Sequence, residues 1–269
     1  MKFNNVLLWC EFPLRADWKQ LNLLFRRQGI KARCYIAVES PEELRDWKRQ
    51  LAKCKDIIVE GAWPVISLEK GYWFSSFIEK KEIDTLDKFK WAKLKIDIEP
   101  PYRYFKRWTV LMAVVWVLLH LFFPAKNKKY LAERLMKLDA NNEVILSSFP
   151  LPDFLLKRYG FVRDKRFKYN FMVYTSMFPF FLKQLYRIYY KFFIKYQLKK
   201  DKETYFALGL LAKGVYNAEP EYKNVKQFKK DIKFLQRNNV RNCVVYSIEG
   251  INQRKDPEEW VKAIKESME

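Results

Sequence analysis

Short apolar runs alternate with longer segments of helical periodicity along the whole chain. The first run is Val6 to Pro13, with a helical pattern after it from Asp17 to Gln28. The second, Ala32 to Val38, leads into a helix capped by Ser40, with Pro41 in its first position and Glu43 in its third. That order lets a hydroxyl and a carboxylate satisfy free N–H groups of the first turn. Asp56 to Glu60 precedes a helical stretch near 79–91, and Leu94 to Pro101 precedes a strongly apolar helix. Val144 to Pro150, Asn170 to Ser176, Thr204 to Leu211 and Asn242 to Glu249 complete the series, each with a helical segment behind it. Asp256 caps the last helix, with Pro257 in its first position.

Eight strand-then-helix units of roughly 34 residues fit the chain, and a (β/α)8 barrel is typically about 250 residues. Strands rich in β-branched and aromatic residues, separated by helices, imply a parallel sheet with right-handed crossovers. The predicted fold is therefore α/β, a single TIM barrel domain over residues 1–269. A doubly wound open sheet needs no eighth strand and commonly carries a glycine-rich first turn, which Phe12-Pro13-Leu14 is not.

In such a barrel the active residues belong at the C-terminal ends of strands. Those ends read Glu11 on strand one, Glu39 after strand two, Glu60 on strand three and Asp97 with Glu99 on strand four. Tyr174 falls on strand six and Glu249 on strand eight. Alternation along a strand turns Asp97 and Glu99 together toward the barrel interior, and groups Val245, Ser247 and Glu249 on the interior face of strand eight. Asp97, Glu99 and Glu249 are thus expected in one cleft. Glu39, beside a helix start, reads better as an N-terminal acid of that helix. Glu99, between Ile98 and Pro100-Pro101, is expected to hold its proton more tightly, as a general acid requires. Acid clusters in a cleft also suit oxygen-ligated Mg²⁺.

At Asp97-Ile98-Glu99 the chain resembles the family-18, chitinase-type, glycoside hydrolases. Their longer Asp-x-x-Asp-x-Asp-x-Glu motif closes strand four, and this sequence matches its last three positions, with the earlier aspartates absent. Met172-Val173-Tyr174-Thr175 is similar to their strand-six Met-x-Tyr-Asp, with Thr175 in place of Asp. Tyr246 lies in the strand-eight stretch where an aromatic supports the sugar. The resemblance implies Glu99 as proton donor to the glycosidic oxygen and Asp97 as the residue orienting the substrate. Tyr174 and Glu249 complete the expected catalytic set, and Glu11, Glu60, Trp63, Tyr246 and Lys213 the expected substrate contacts, with Glu11 or Glu60 as base.

Composition narrows the chemistry further. One histidine, His120, excludes most His-based metal and triad sites, and no metal site or cofactor is expected. The four cysteines, Cys10, Cys34, Cys54 and Cys243, show no CxxC spacing and read as free thiols in a reduced, intracellular setting. The first residues, MKFNNVLLWCE, hold too short an apolar run for a signal peptide. Gly209, Gly214 and Gly250 near the last two strand ends, with Lys213, form a faint version of a barrel phosphate site. They support the alternative, an Mg-dependent lipid-metabolic lyase or transferase on a phosphorylated substrate. A non-catalytic membrane-bound barrel is the third reading.

Charge changes the picture again: 52 Lys plus Arg against 31 Asp plus Glu leave +21, with 17% aromatic residues. The run from Trp108 to Phe123 is sixteen residues without a charge, flanked by Arg103, Lys106, Arg107, Lys126, Lys128 and Lys129. It falls short of the about 20 residues of a spanning helix, and one crossing would split the barrel. Lys183, Arg187, Lys191 and Lys195 recur every four residues among aromatics. Residues 103–129 and 178–196 are therefore expected to lie on an anionic membrane surface, as a peripheral or monotopic protein on the cytoplasmic side. Trp108, Trp116, Phe122, Phe123 and Phe193 would enter the interface and Lys183, Arg187 and Lys191 would face headgroups. A homo-oligomer built on the same helices is the alternative. Nucleic acid is disfavoured, because long uncharged aliphatic runs do not help phosphate binding. The expected partners are an anionic membrane surface and a glycan or glycolipid substrate.

Overall fold

The computed structural model describes residues 2–101, 115, 118, 119, 121–138, 142–177, 180–215 and 220–269. Eight parallel strands follow one another around a closed barrel in chain order. They are β1 (Asn5–Cys10), β2 (Ala32–Val38), β3 (Ile57–Pro64), β4 (Leu94–Asp97), β5 (Val144–Ser148), β6 (Phe167–Met172), β7 (Tyr205–Leu208) and β8 (Asn242–Tyr246). The TIM-barrel expectation is met, and β1, β5 and β8 are buried almost throughout, as strands covered on both faces must be.

Between the strands run α1 (Trp18–Arg27), α2 (Pro41–Leu51), α3 (Lys80–Ile83), α4 (Lys128–Met136) and α5 (Asp153–Tyr159). After β6 come α6 (Phe180–Lys200), α7 (Val225–Arg237), α8 (Ile248–Asn252) and α9 (Pro257–Met268). Pro41 and Pro257 open α2 and α9 as expected, but Asp256, in the cap position of α9, makes no side-chain capping hydrogen bond. Asp17 accepts from Gln20 N at 3.0 Å and Asn224 from Gln227 N at 3.1 Å. At α2, Ser40 Oγ accepts from Glu43 N, while the Glu43 carboxylate accepts from Glu39 N. This is the capping arrangement read from the sequence, and Glu39 serves the helix start through its backbone. At the end of α5, Gly160 takes φ +98°, and a side chain there would collide with Leu131 of α4.

Several strands end earlier than their apolar runs. The fourth run ends as a strand at Asp97, the sixth at Met172 and the eighth at Tyr246, whereas β3 continues past Glu60 to Pro64. In the 79–91 stretch only Lys80–Ile83 is α-helical, followed by a 3₁₀ segment over Asp84–Phe89.

The chain contacts separate two compact units: Met1–Ala37, Arg45–Glu60 and Asn170–Glu269 form the first, Val38–Leu44 and Gly61–Tyr169 the second. In the first unit β1 pairs β2 and β8, with Trp9 beside Tyr35 on one side and Tyr246 on the other. β7 pairs β6 and β8. Trp9 and Tyr35 pack edge to face at 5.3 Å, and Phe171 does the same with Phe193 of α6 at 5.0 Å. In the second unit β4 pairs β3 through Ala62 and Leu94, and pairs β5 from Leu94–Val144 to Asp97–Ser147. Phe74 adds a parallel bridge to Ile98 just beyond β4.

All four cysteines are free, and three of them, Cys10, Cys34 and Cys243, are buried. Burial pushes the Cys34 and Cys243 thiols up, so both stay protonated. Among the described residues no helix is long and apolar enough to cross a membrane.

Candidate active site

The first unit builds a cluster where β1, β6, β7 and β8 end. Glu11 directly follows β1 and is buried, and Tyr246, the last residue of β8, donates its hydroxyl to Glu11 Oε2. The pairing of Trp9 with Tyr246 places the two ends side by side. Tyr174 stacks on Tyr246 with ring centroids 5.7 Å apart and planes 23° from parallel. A Cβ on Gly209 would lie 2.8 Å from the Tyr174 ring, so glycine is what lets that ring settle against the end of β7. Ser176 pins the same loop, donating to Gly209 O at 2.8 Å and accepting from Leu210 N at 3.0 Å.

Glu249 departs from its expected place. β8 stops at Tyr246, so alternation no longer applies at 249, and Glu249 sits in the first turn of α8. Its Oε1 accepts from the backbone N–H groups of Glu11 and Phe12, each at 3.0 Å. Glu249 thus holds the chain that carries Glu11. Burial pushes its carboxyl above the ordinary range, against the pull of the N–H groups of Glu249, Phe12 and Glu11.

The second unit builds a different cluster along β4. Lys95 and Asp97 alternate onto one face of β4, and Glu99 lies two residues past its end; all three are buried. Lys95 Nζ donates to Asp97 Oδ2 at 2.6 Å and lies 3.1 Å from the ring centre of Trp63 on β3. Burial pushes the Asp97 carboxyl up, and the Lys95 ammonium pulls it back. Asp97, expected to orient a substrate, is held by an ammonium, and Trp63, expected as a substrate contact, covers that ion pair. Glu99 is 2% exposed. Its backbone is held by Phe74, whose N–H reaches Asp97 O at 3.1 Å and whose carbonyl accepts from Glu99 N at 3.0 Å. Ser148 donates to Ile98 O at 2.8 Å from the other side.

Other expected site residues lie elsewhere. Glu60 is within β3 rather than at its end, and it pairs with Arg33, near the start of β2, at 2.6 Å. Its carboxylate is engaged by that ion pair, short of the C-terminal end of β3. Lys213 is exposed on the loop after β7. Two of the glycines read as a faint phosphate site, Gly209 and Gly250, are packing positions: a Cβ on Gly250 would meet the backbone of Leu211 and Ala212 at 2.7 Å. Among the described residues no group of histidine, cysteine and acidic side chains is placed to hold a metal ion.

On α6, Phe193 is buried against Phe171 rather than turned outward, because it faces the strands. Arg187 is bound to Asp231 Oδ1 of α7 at 2.8 Å instead of facing outward. Lys183 is half-buried and Lys191 exposed, and Phe122 and Phe123 are exposed. Trp108, Trp116 and His120 lie outside the described residues.

Sequence reasoning missed Lys95 and Asp231. Lys95 shares the alternation that singled out Asp97 and Glu99, so its position on their face was available. Asp231 is 1% exposed and accepts from Thr175 Oγ1, Tyr222 hydroxyl at 2.9 Å and Arg187. Its signal is a charge among Phe228, Ile232 and Leu235, on the apolar face of α7. Thr175, where the resembled family carries Asp, therefore donates to an aspartate supplied by α7.

No family model matches the chain, and no curated protein matches it in sequence. Among solved structures, the chain is similar to the PgaB (BpsB) glycoside hydrolase domain from Bordetella bronchiseptica, at TM-score 0.60 and 12% identity over 99% of both chains. It is also similar to an endocellulase from Pyrococcus horikoshii in complex with cellotetraose, at TM-score 0.53 and 12% identity over 100% of this chain and 93% of that one. A hyperthermostable endocellulase gives TM-score 0.55 at 11% identity, over the same shares. The chain thus shares the eight-stranded barrel fold of these glycoside hydrolases.

Proposed function

We propose that this chain hydrolyses a glycosidic bond in a glycan or glycolipid held at an anionic membrane surface, with Glu99 as the proton donor. The observation that carries the reading is Glu99 itself: a carboxyl group removed from water, just beyond a barrel strand and with its backbone locked by Phe74. General acids of glycosidases use such an environment, and barrel chemistry gathers at this end of the strands. The glycoside hydrolase folds with which the chain aligns end to end support the same reaction class. Lys95 on Asp97 argues against the substrate-assisted scheme implied by the family-18 resemblance, in which that aspartate must be free to contact the substrate. The ordinary two-carboxylate scheme then applies.

The membrane reading is supported by α6. Leu185, Ile188, Phe192 and Tyr196 recur at spacings of three and four and are 63%, 56%, 67% and 47% exposed. They form one apolar stripe along the helix, with exposed Lys191, Lys195 and Lys199 beside it. This stripe, rather than Phe193, is the surface that enters the interface.

The deciding experiment is a screen of nitrophenyl glycosides and lipid-linked sugars with the wild-type chain and Glu99→Gln. A general acid contributes about 10²–10⁴-fold, so kcat is expected to fall by that factor with the fold unchanged by circular dichroism. Full activity in Glu99→Gln would overturn its assignment.

A further inference from the structure

The C-terminal turns of α6 border a recess of about 870 Å³, lined on one side by Lys195, Tyr196, Lys199 and Lys202 and on the other by Asn239 and Arg241, ahead of β8. It lies by the starts of β7 and β8, whereas the Glu11 cluster sits at the ends of those strands. Its volume falls within the about 300–1,000 Å³ usual for ligand pockets. Four cations line it. Among the described residues, the side chains of Lys195, Lys199, Lys202 and Arg241 make no ion pair.

The nearby acids are engaged elsewhere. Asp201 Oδ1 accepts from Glu203 N at 2.9 Å, and Glu203 Oε2 accepts from Asn242 Nδ2 at 3.0 Å. Neither carboxylate lines the recess, so the four cations set the charge of its lining. Lysine ammonium groups and an arginine fork suit the oxygens of a phosphate group. Tyr196 is also the last residue of the apolar stripe, so an acyl-bearing ligand would meet hydrophobic side chains and cations along one helix.

We infer that this recess binds the phosphate headgroup of an anionic phospholipid. The inference rests on the membrane-surface reading for the source of the phosphate, and it adds a specific headgroup site to the general attraction of a basic protein for such a surface.

The test uses the full chain and vesicles of phosphatidylcholine alone or mixed with phosphatidylglycerol, read by co-sedimentation. The variants are Lys199→Gln with Arg241→Gln in the recess, Leu185→Ser with Phe192→Ser on the stripe, and Lys48→Gln with Lys53→Gln as an equal loss of charge elsewhere. Each cation engaged at an anionic surface contributes about fivefold, so the recess pair should weaken binding to mixed vesicles by about 30-fold. Binding to phosphatidylcholine alone should not change. The Lys48/Lys53 pair should lose less than about fivefold. Equal losses from the recess and control pairs would overturn the inference, leaving net charge alone.

Calorimetry with glycerol 3-phosphate separates the sources of phosphate. Binding of this soluble ligand without binding of mixed vesicles would overturn the lipid assignment. The stripe variant tests the underlying reading on its own. If it binds every vesicle as the wild type does, the apolar stripe is not the membrane surface, while the recess result stands or falls by the other pairs.

Discussion

Asp97 and Glu249 are each 1% exposed, yet the protein holds these two carboxylates by opposite means. In the second unit an ammonium does it: Lys95, itself buried and capped by Trp63, lies 2.6 Å from Asp97. In the first unit the Glu249 oxygen accepts instead from two backbone N–H groups. An ion pair in a dry interior requires both members, because each is costly to bury without the other. A carboxylate held by peptide dipoles depends on its acceptor oxygen, and its charge can be removed without orphaning an opposite one. The two clusters should therefore respond differently to the removal of charge.

Lys95→Met should show the largest loss. It leaves Asp97 buried without its counter-charge, and a cost of about 3–5 kcal/mol is expected by urea denaturation. Adding Asp97→Leu should recover most of it, and a double variant as unstable as the single one would show that the pair contributes more than mutual compensation.

Asp231 stands between the two cases, with hydroxyls and one guanidinium on a single carboxylate. Asp231→Ala should cost about 3 kcal/mol, because Thr175 and Tyr222 lose a buried acceptor. Arg187, partly open to water, contributes less to that loss. A loss below about 1 kcal/mol would mean that water replaces the carboxylate.

Gly209→Ala tests packing rather than charge. Its Cβ would press on the Tyr174 ring, and about 1–3 kcal/mol is expected together with a shift of the tyrosine pair visible in near-ultraviolet dichroism. An unchanged spectrum would count against the close approach.

Glu249→Gln should show the smallest effect at neutral pH, under about 1 kcal/mol, because the amide oxygen still accepts from Glu11 and Phe12. The sign of its pH dependence follows from the raised folded-state value. Between the unfolded value of about 4.5 and that raised value, the folded chain keeps a proton that the unfolded chain releases. Wild-type stability should fall as pH rises through that window, whereas the glutamine variant should stay level. Relative to wild type, the variant gains as pH rises. A variant that loses ground with rising pH would show that the carboxylate charge is stabilising there.

The barrel was legible in the sequence because each of its signals is local. Apolar runs with helical segments behind them and Ser40 with Glu43 depend only on neighbours within a few residues. Glu11, Tyr174, Tyr246 and Glu99 were likewise found by position, at or just past strand ends. The failures came where a strand stops. Glu249 was carried onto a strand face because its apolar run continues through Ile248, whereas pairing with β1 and β7 ends by Tyr246 and the chain turns into α8.

What the sequence determined by itself is periodicity, hence the order of elements, the parallel barrel, and the face that Lys95 and Asp97 share. Tertiary structure alone decided the partners: Arg33 for Glu60, Lys95 for Asp97, Asp231 for Thr175 and Arg187, and the N–H groups of Glu11 and Phe12 for Glu249. The physical reason is that alternation sets where a side chain points. Which donor waits there is set by residues up to 238 positions away, brought within 3.0 Å only when the strands close.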